Sequence, residues 1–184
     1  MSAKIAIAGL FLALTTLASA EVADSSGSGF TLKIATQIHA APADVYSRLV
    51  HNVGDWWNPA HSFSHDAHNL SIEDRVQGCF CEKLSSGGVR HMEVVFVAPG
   101  KMLRMSGGLG PLQGIATAGS MTFLFTPAEG GTKLELTYVV AGYTPQGMNT
   151  WAAPVNEVLT EQVTRLKSYI ETGDPSGKAE PAKK

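Results

Sequence analysis

Residues 119–170 read GSMTFLFTPAEGGTKLELTYVVAGYTPQGMNTWAAPVNEVLTEQVTRLKSYI, two alternating runs joined by a glycine-bearing turn and followed by one long helical pattern. Met121, Phe123 and Phe125 alternate with Thr122, Leu124 and Thr126, and Leu134, Leu136 and Tyr138 alternate with Glu135 and Thr137, the period of a strand with one buried face. With Ala128–Gly131 as the loop, Phe125 stands opposite Leu134, Phe123 opposite Leu136 and Met121 opposite Tyr138. From Trp151 to Ile170, Val155, Val158, Leu159, Val163, Leu166 and Ile170 recur at helical spacing, with Pro154 early enough to be tolerated. An antiparallel sheet with one wet face must cover the other, and this is the long amphipathic element available to do so. The expected fold is α+β, a curved antiparallel sheet wrapped around a long C-terminal α-helix, the helix-grip arrangement.

Working outward, Phe30, Leu32, Ile34, Thr36, Ile38 and Ala40 alternate with polar or small residues and predict a first strand, which Pro42 ends. Residues 43–53 carry Val45, Leu49, Val50 and Val53 at helical spacing, with Asp44 in the first turn, where a helix N-terminus favours negative charge. A loop over 54–69 follows, then short strands at 70–76, 79–84, 89–98, 101–107, 119–126 and 132–141. Taking Ser85–Gly88 as a four-residue loop places Cys81 opposite Met92 and Cys79 opposite Val94, and a Pro99-Gly100 turn places Val94 opposite Met105 and Phe96 opposite Leu103. The expected inner face is then Cys79, Cys81, Met92, Val94, Phe96, Leu103, Met105, Met121, Phe123, Phe125, Leu134, Leu136 and Tyr138. Glu82, His91, Glu93, Arg104, Lys133 and Glu135 are expected on the wet face.

Residues 1–20, MSAKIAIAGLFLALTTLASA, have a lysine, an apolar run from Ile5 to Leu14 and Ala18-Ser19-Ala20, the layout of a secretory signal peptide with an A-x-A cleavage site. The run is shorter than the roughly 20 residues of a membrane span. Residues 21–29 are expected as a flexible leader, 30–171 as the folded domain and 172–184 as a disordered tail. The expected compartment is the bacterial periplasm or the medium, which is oxidising. Among the 184 residues, 14 Lys plus Arg stand against 16 Asp plus Glu, a net −2 that announces no nucleic-acid-binding stripe.

The order of elements and the strings APADVYSRL (41–49), VGDWWNP (53–59), GCFCEKL (78–84), APGKMLRMSGGLGPLQ (98–113) and GTKLELTYVVAG (131–142) resemble the START-like superfamily called SRPBCC. Its members include Bet v 1-like proteins, polyketide cyclases and activators of a heat-shock ATPase. The strings resemble a bacterial branch labelled polyketide cyclase-like or ATPase-activator-like. Folds of this kind often leave a cavity between sheet and helix that suits a small apolar molecule. The resemblance places His61 at that pocket, and Tyr138 brings a hydroxyl to the inner face. Trp56 and Trp57 are read either as a lid at the pocket's mouth or as apolar filler at a corner. Cys79, Cys81, Met92, Met105 and Phe123 complete the expected lining.

Two functions follow. The first is an exported protein, a monomer or weak dimer, that binds a small hydrophobic or amphipathic molecule and needs no cofactor. The second is a cyclase or aromatase-like enzyme with His61 and Tyr138 as acid and base. An interaction module like the ATPase activators is a third reading, disfavoured by export. His61, His65, Asp66 and His68 with the two cysteines suggest zinc or copper, but C-x-C lacks the usual ligand spacing and no metal is expected. Cys79 and Cys81 are read as small buried residues in preference to a disulfide, which would close a very small ring. Glu82 and His91 imitate a carboxylate–imidazole dyad, read as a solvated cross-strand pair without an adjacent nucleophile. Gly107–Pro111 lacks the Lys-Ser/Thr ending of a phosphate loop.

Overall fold

The computed structural model describes residues 19–177. The expected signal segment falls almost wholly outside the described residues, as does the tail beyond Gly177. Eight strands form one antiparallel sheet: β1 (Ser19–Ser26), β2 (Gly29–Ile38), β3 (Leu70–Ile72), β4 (Cys79–Leu84), β5 (Gly87–Ala98), β6 (Met102–Ser106), β7 (Ala116–Ala128) and β8 (Gly131–Tyr143). Their spatial order is β1-β2-β8-β7-β6-β5-β4-β3. Helices α1 (Pro42–His51) and α2 (Val53–Trp56) follow β2, and α3 (Asn149–Thr172) closes the domain. Among the described residues no helix is long and apolar enough to cross a membrane.

Alternation delivers the expected faces where strands pair without interruption. In β2 the residues Phe30, Leu32, Ile34, Thr36 and Ile38 are buried, and in β8 Leu134, Leu136, Tyr138 and Val140 are. The β7–β8 register matches the expectation, with Phe125 opposite Leu134, Phe123 opposite Leu136 and Met121 opposite Tyr138. Over this face lies α3, which packs against β1 and β2 and buries Ala152, Leu159, Val163 and Leu166. Each fully buried Leu or Val of that stripe is worth about 1.5–3 kcal/mol relative to exposure. The helix stops at Gly173, whose φ of 80° suits a residue without Cβ and lets its N–H reach the Tyr169 carbonyl at 2.9 Å.

Three sequence expectations need correction. Residues 21–29 are not a loose leader. Ser19–Ser26 pair with β2 as an edge strand, because ladder hydrogen bonds belong to the backbone and β2 would otherwise offer an unpaired edge.

The second correction concerns β4 and β5. Leu84 pairs with Gly87 across a two-residue turn, where Gly87 adopts φ 125°, instead of the four-residue loop. A bulge then lets Cys81 face Arg90 and Phe80 face Met92, with His91 as the extra residue. Phe80 and Glu82 therefore point inward, and His91 and Met92 are both buried although adjacent. Cys79 and Cys81 leave the inner face and are bonded to each other as a disulfide.

A second bulge, at Val95, pairs Phe96 with Arg104 and Val97 with Leu103 while keeping Val94 opposite Met105. Phe96, expected inside, is 44% exposed and lies under the Arg104 guanidinium at 6.0 Å.

The two registers predict opposite costs. Phe80→Ala should destabilise the protein by about 3–5 kcal/mol and Phe96→Ala by about 0.5 kcal/mol, as read from urea midpoints of the purified variants. Equal losses would contradict the bulged register.

Candidate functional site

A cleft of about 290 Å³ opens where the first half of α3 parts from the β3–β5 end of the sheet. From α3 come Trp151, Pro154, Val155, Val158 and Leu159, and from the sheet Leu70, Phe80 and His91. The segments 60–63 and 109–112, with Trp57, complete it. No Lys or Arg lines this cleft.

Polar clamps hold the lining segments. The Asn58 amide N–H donates to Gln162 Oε1 at 2.8 Å, Arg165 Nε donates to the Trp56 carbonyl at 2.8 Å, and His61 Nε2 meets Glu161 Oε2 at 3.0 Å. These tie residues 56–61 to α3. The 3₁₀ turn at Gly110–Gly114 is set by Tyr138, whose hydroxyl accepts from the Leu109 N–H and donates to the Gly107 carbonyl, each at 3.0 Å. A Cβ at Gly119 would lie 2.8 Å from the Tyr138 ring, so the bare glycine is what lets this phenol pass. Of the glycine-rich stretch 107–111, residues 109–111 are thus cleft wall.

The expected site residues separate. Trp57 and His61 line the cleft. Trp56, Met105 and Phe123 line a separate void of about 20 Å³ deeper in the core. Trp56 and Trp57 are 3% and 7% exposed, with indole N–H groups donating to the carbonyls of Arg48 and His61. They are packed filler and inner wall, not a lid. Met92 is buried in the core. Cys79 and Cys81 are outside the cleft lining. Tyr138 is fully buried, is absent from the lining, and has its hydroxyl engaged on both sides. Burial pushes that hydroxyl up to about 12, with the Leu109 N–H pulling the other way. His61 and Tyr138 are therefore not brought together as an acid–base pair. No cluster of three or more His, Cys, Asp or Glu suited to a metal occurs among the described residues.

What the alternation argument missed is the Glu82–His91 pair, which is buried at 2% and 5% exposure instead of standing on the wet face. Glu82 accepts from His91 Nε2 at 3.0 Å, from the Phe63 N–H at 3.1 Å and from the Ser64 N–H. Phe63 stacks on the His91 ring at 5.9 Å and Phe80 tilts against it at 5.2 Å. The usable signal was Phe80: placing the largest apolar side chain of CFCEKL inside also turns Glu82 inside.

No protein-family model matches this chain, and no curated protein does. Among solved structures, the Mesorhizobium loti protein MLL2253 is 18% identical with a TM-score of 0.57, over 77% of this chain and 96% of that one. The Aha1 dimer from Colwellia psychrerythraea is 16% identical with a TM-score of 0.55, over 78% of this chain and 97% of that one. DynU16, from the dynemicin biosynthetic locus, is 20% identical with a TM-score of 0.55, over 79% of this chain and 49% of that one. At these identities the likeness establishes a shared fold, the sheet wrapped around a long C-terminal helix described above.

The buried pair makes stability pH-dependent. Burial holds the His91 imidazole below its ordinary value, outweighing the raising effect of Glu82. Burial pushes the Glu82 carboxyl up, but its hydrogen bonds from Ser64, Phe63 and His91 together hold it below the ordinary carboxylate value. Each group thus binds its proton less readily in the folded chain. Stability is fully present above the unfolded value of about 6.5 for His and is lost as pH falls towards the folded one, with the Glu82 contribution following in the lower carboxylate range. Urea midpoints should therefore fall between pH about 7.5 and about 5, and the fall should shrink in His91→Gln. An unchanged pH slope in that variant would contradict the buried neutral imidazole.

Proposed function

We propose that this protein binds a small, largely apolar molecule in the cleft beneath the first half of α3. The observation that carries the reading is the cleft's own make-up: about 290 Å³ bounded chiefly by Trp57, Phe80, Leu109, Leu112, Trp151, Val155, Val158 and Leu159. Small-molecule sites are concave and mainly apolar with few polar groups, and this one is at the low end of their usual size, enough for a one- or two-ring compound. The origin of DynU16 in a biosynthetic locus is in keeping with a fold that meets small organic molecules. The Tyr138 hydroxyl is engaged on both sides away from the cleft lining, so a paired acid and base at His61 and Tyr138 does not support the cyclising alternative.

Export is part of the proposal. It is supported by the residue order of positions 1–20 and by the Cys79–Cys81 disulfide, a bond that persists in oxidising compartments. Cleavage after Ala20 leaves Glu21–Ser26 available to pair with β2, so the edge strand survives processing largely intact.

Two outcomes are expected. Val158→Trp fills the cleft and should weaken binding of the neutral two-ring fluorescent probe 6-propionyl-2-(dimethylamino)naphthalene about tenfold or more while leaving thermal unfolding within a few degrees; unchanged probe affinity sinks the reading. In a bacterial host, the intact mass of the periplasmic protein should correspond to a chain starting at Glu21, and retention of the full-length mass in the cytoplasm would end the export reading.

A further inference from the structure

The Cys79–Cys81 disulfide joins two residues of one strand, so it ties no two elements of the fold together. A disulfide stabilises a folded chain less the shorter the loop it closes, and this one closes over a single intervening residue. It is poorly suited to be a staple. Both cysteines stand half-buried on the outer face of β4, alternating with the buried Phe80 and Glu82. Across from them Arg90 lies opposite Cys81 and Glu93 opposite Cys79, the two side chains paired with each other at 2.9 Å. A thiolate released from the bond is therefore better placed at Cys81, opposite the cation.

What the bond does is local. Two steps along a strand cover about 6.6 Å, whereas the Cα atoms of Cys79 and Cys81 are 5.3 Å apart, so β4 is contracted about Phe80. Opposite this contraction β5 carries its bulge, with Arg90, His91 and Met92 standing against Cys81 and Phe80. A short span on β4 leaves β5 with one residue too many, and a bulge is how a strand takes that up. Phe80 and His91, at the centres of the two distortions, both line the cleft. Glu82, two residues further along β4, accepts from His91 Nε2 and from the N–H groups of Phe63 and Ser64. The disulfide thus sits on the back of the cleft wall.

We propose that Cys79–Cys81 is an exchangeable disulfide that controls the cleft: low-molecular-weight thiols reduce it in the folded protein, β4 extends, the bulge at His91 is lost, and the wall built by Phe80 and His91 no longer holds the ligand. This rests on the apolar-ligand reading of the same cleft. A thiolate attacks one sulfur and forms a mixed disulfide, releasing the other sulfur as a thiolate; a second thiolate then displaces the remaining sulfur of this chain. Overall the disulfide and two thiols give two cysteines and one external disulfide, the bond in β4 gaining the two electrons that the thiols lose. With Met92 and Val94 kept in the core, a β5 without its bulge turns His91 to the outer face, away from Glu82. The oxidised chain is the binding form.

The test compares the processed protein as oxidised and after incubation with glutathione in the absence of denaturant, free thiols being counted by mass after alkylation. Glutathione should open the bond while the far-ultraviolet circular dichroism stays that of the folded chain. The reduced protein should bind the same neutral naphthalene probe about tenfold more weakly, and reoxidation should restore the affinity. The ring resonances of His91, held below the ordinary titration range by burial in the oxidised chain, should move to the usual value of about 6.5 on reduction. The double variant Cys79→Ser, Cys81→Ser should behave as the reduced chain; if it does not fold, the unmodified protein carried through one cycle of reduction and reoxidation decides. A bond that glutathione opens only in urea, loss of the fold on reduction, equal probe affinity in the two states or an unmoved His91 titration overturns the redox control and leaves the apolar-ligand reading standing. No probe binding in either state overturns both.

Discussion

One helix cannot cover eight strands. A helix with its side chains is about 10–12 Å across, whereas eight strands at about 4.8 Å spacing extend over more than about 30 Å. With α3 seated against β1 and β2, the β3–β5 end of the inner face has to be sealed by something else. The segment 53–69, with Trp56 and Trp57, supplies one part of that seal, and the turn at Gly110–Gly114 supplies another. The cleft is the seam left where these pieces meet the helix. Its shape is therefore a consequence of covering a wide sheet with elements of different widths.

Holding the seam in shape falls to polar groups, because the pieces around it are short and carry little apolar surface of their own. Glu161, Gln162 and Arg165 project from one side of α3 and engage residues 56–61, while Glu82 takes the next two free N–H groups of the same segment. A buried carboxylate is costly unless it is hydrogen-bonded, and three donors meet that condition here. The bulge at His91 is what allows the third, since strict alternation would have sent either His91 or Met92 to solvent. A local break in strand pairing thus converts two ordinary surface residue types into a buried, oriented pair at the wall of the cleft.

Legibility along the chain follows the same physics. In β2, β7 and β8 each residue's face could be read from alternation, because these strands pair without a break over the inner face. In β4 and β5 the count failed at the Ser85–Gly88 turn and again at two bulges, and a single residue of slip is enough to exchange the faces. Hence Cys79, Cys81 and Phe96 were expected inside and stand outside, while Glu82 and His91 did the reverse. The site suffered more than the fold, because its walls come from loops and from the bulged strands. Trp57 and His61 were legible as lining; Phe80, Leu112, Trp151 and His91 were not, since their convergence depends on how separate segments dock.

By itself, the amino-acid order determined that this chain makes an antiparallel sheet and a long covering helix, since side-chain periodicity is a property of local backbone geometry. It also carried the apolar stripe that seats α3. The tertiary structure alone decided that residues 19–26 join the sheet, that the two cysteines meet each other, that Tyr138 bolts a turn instead of facing the cleft, and that a carboxylate and an imidazole are buried side by side. Those outcomes turn on edge pairing, on bulges and on which segment closes over which. They are settled by the competition to satisfy backbone and buried polar groups across the whole domain, which no local pattern encodes.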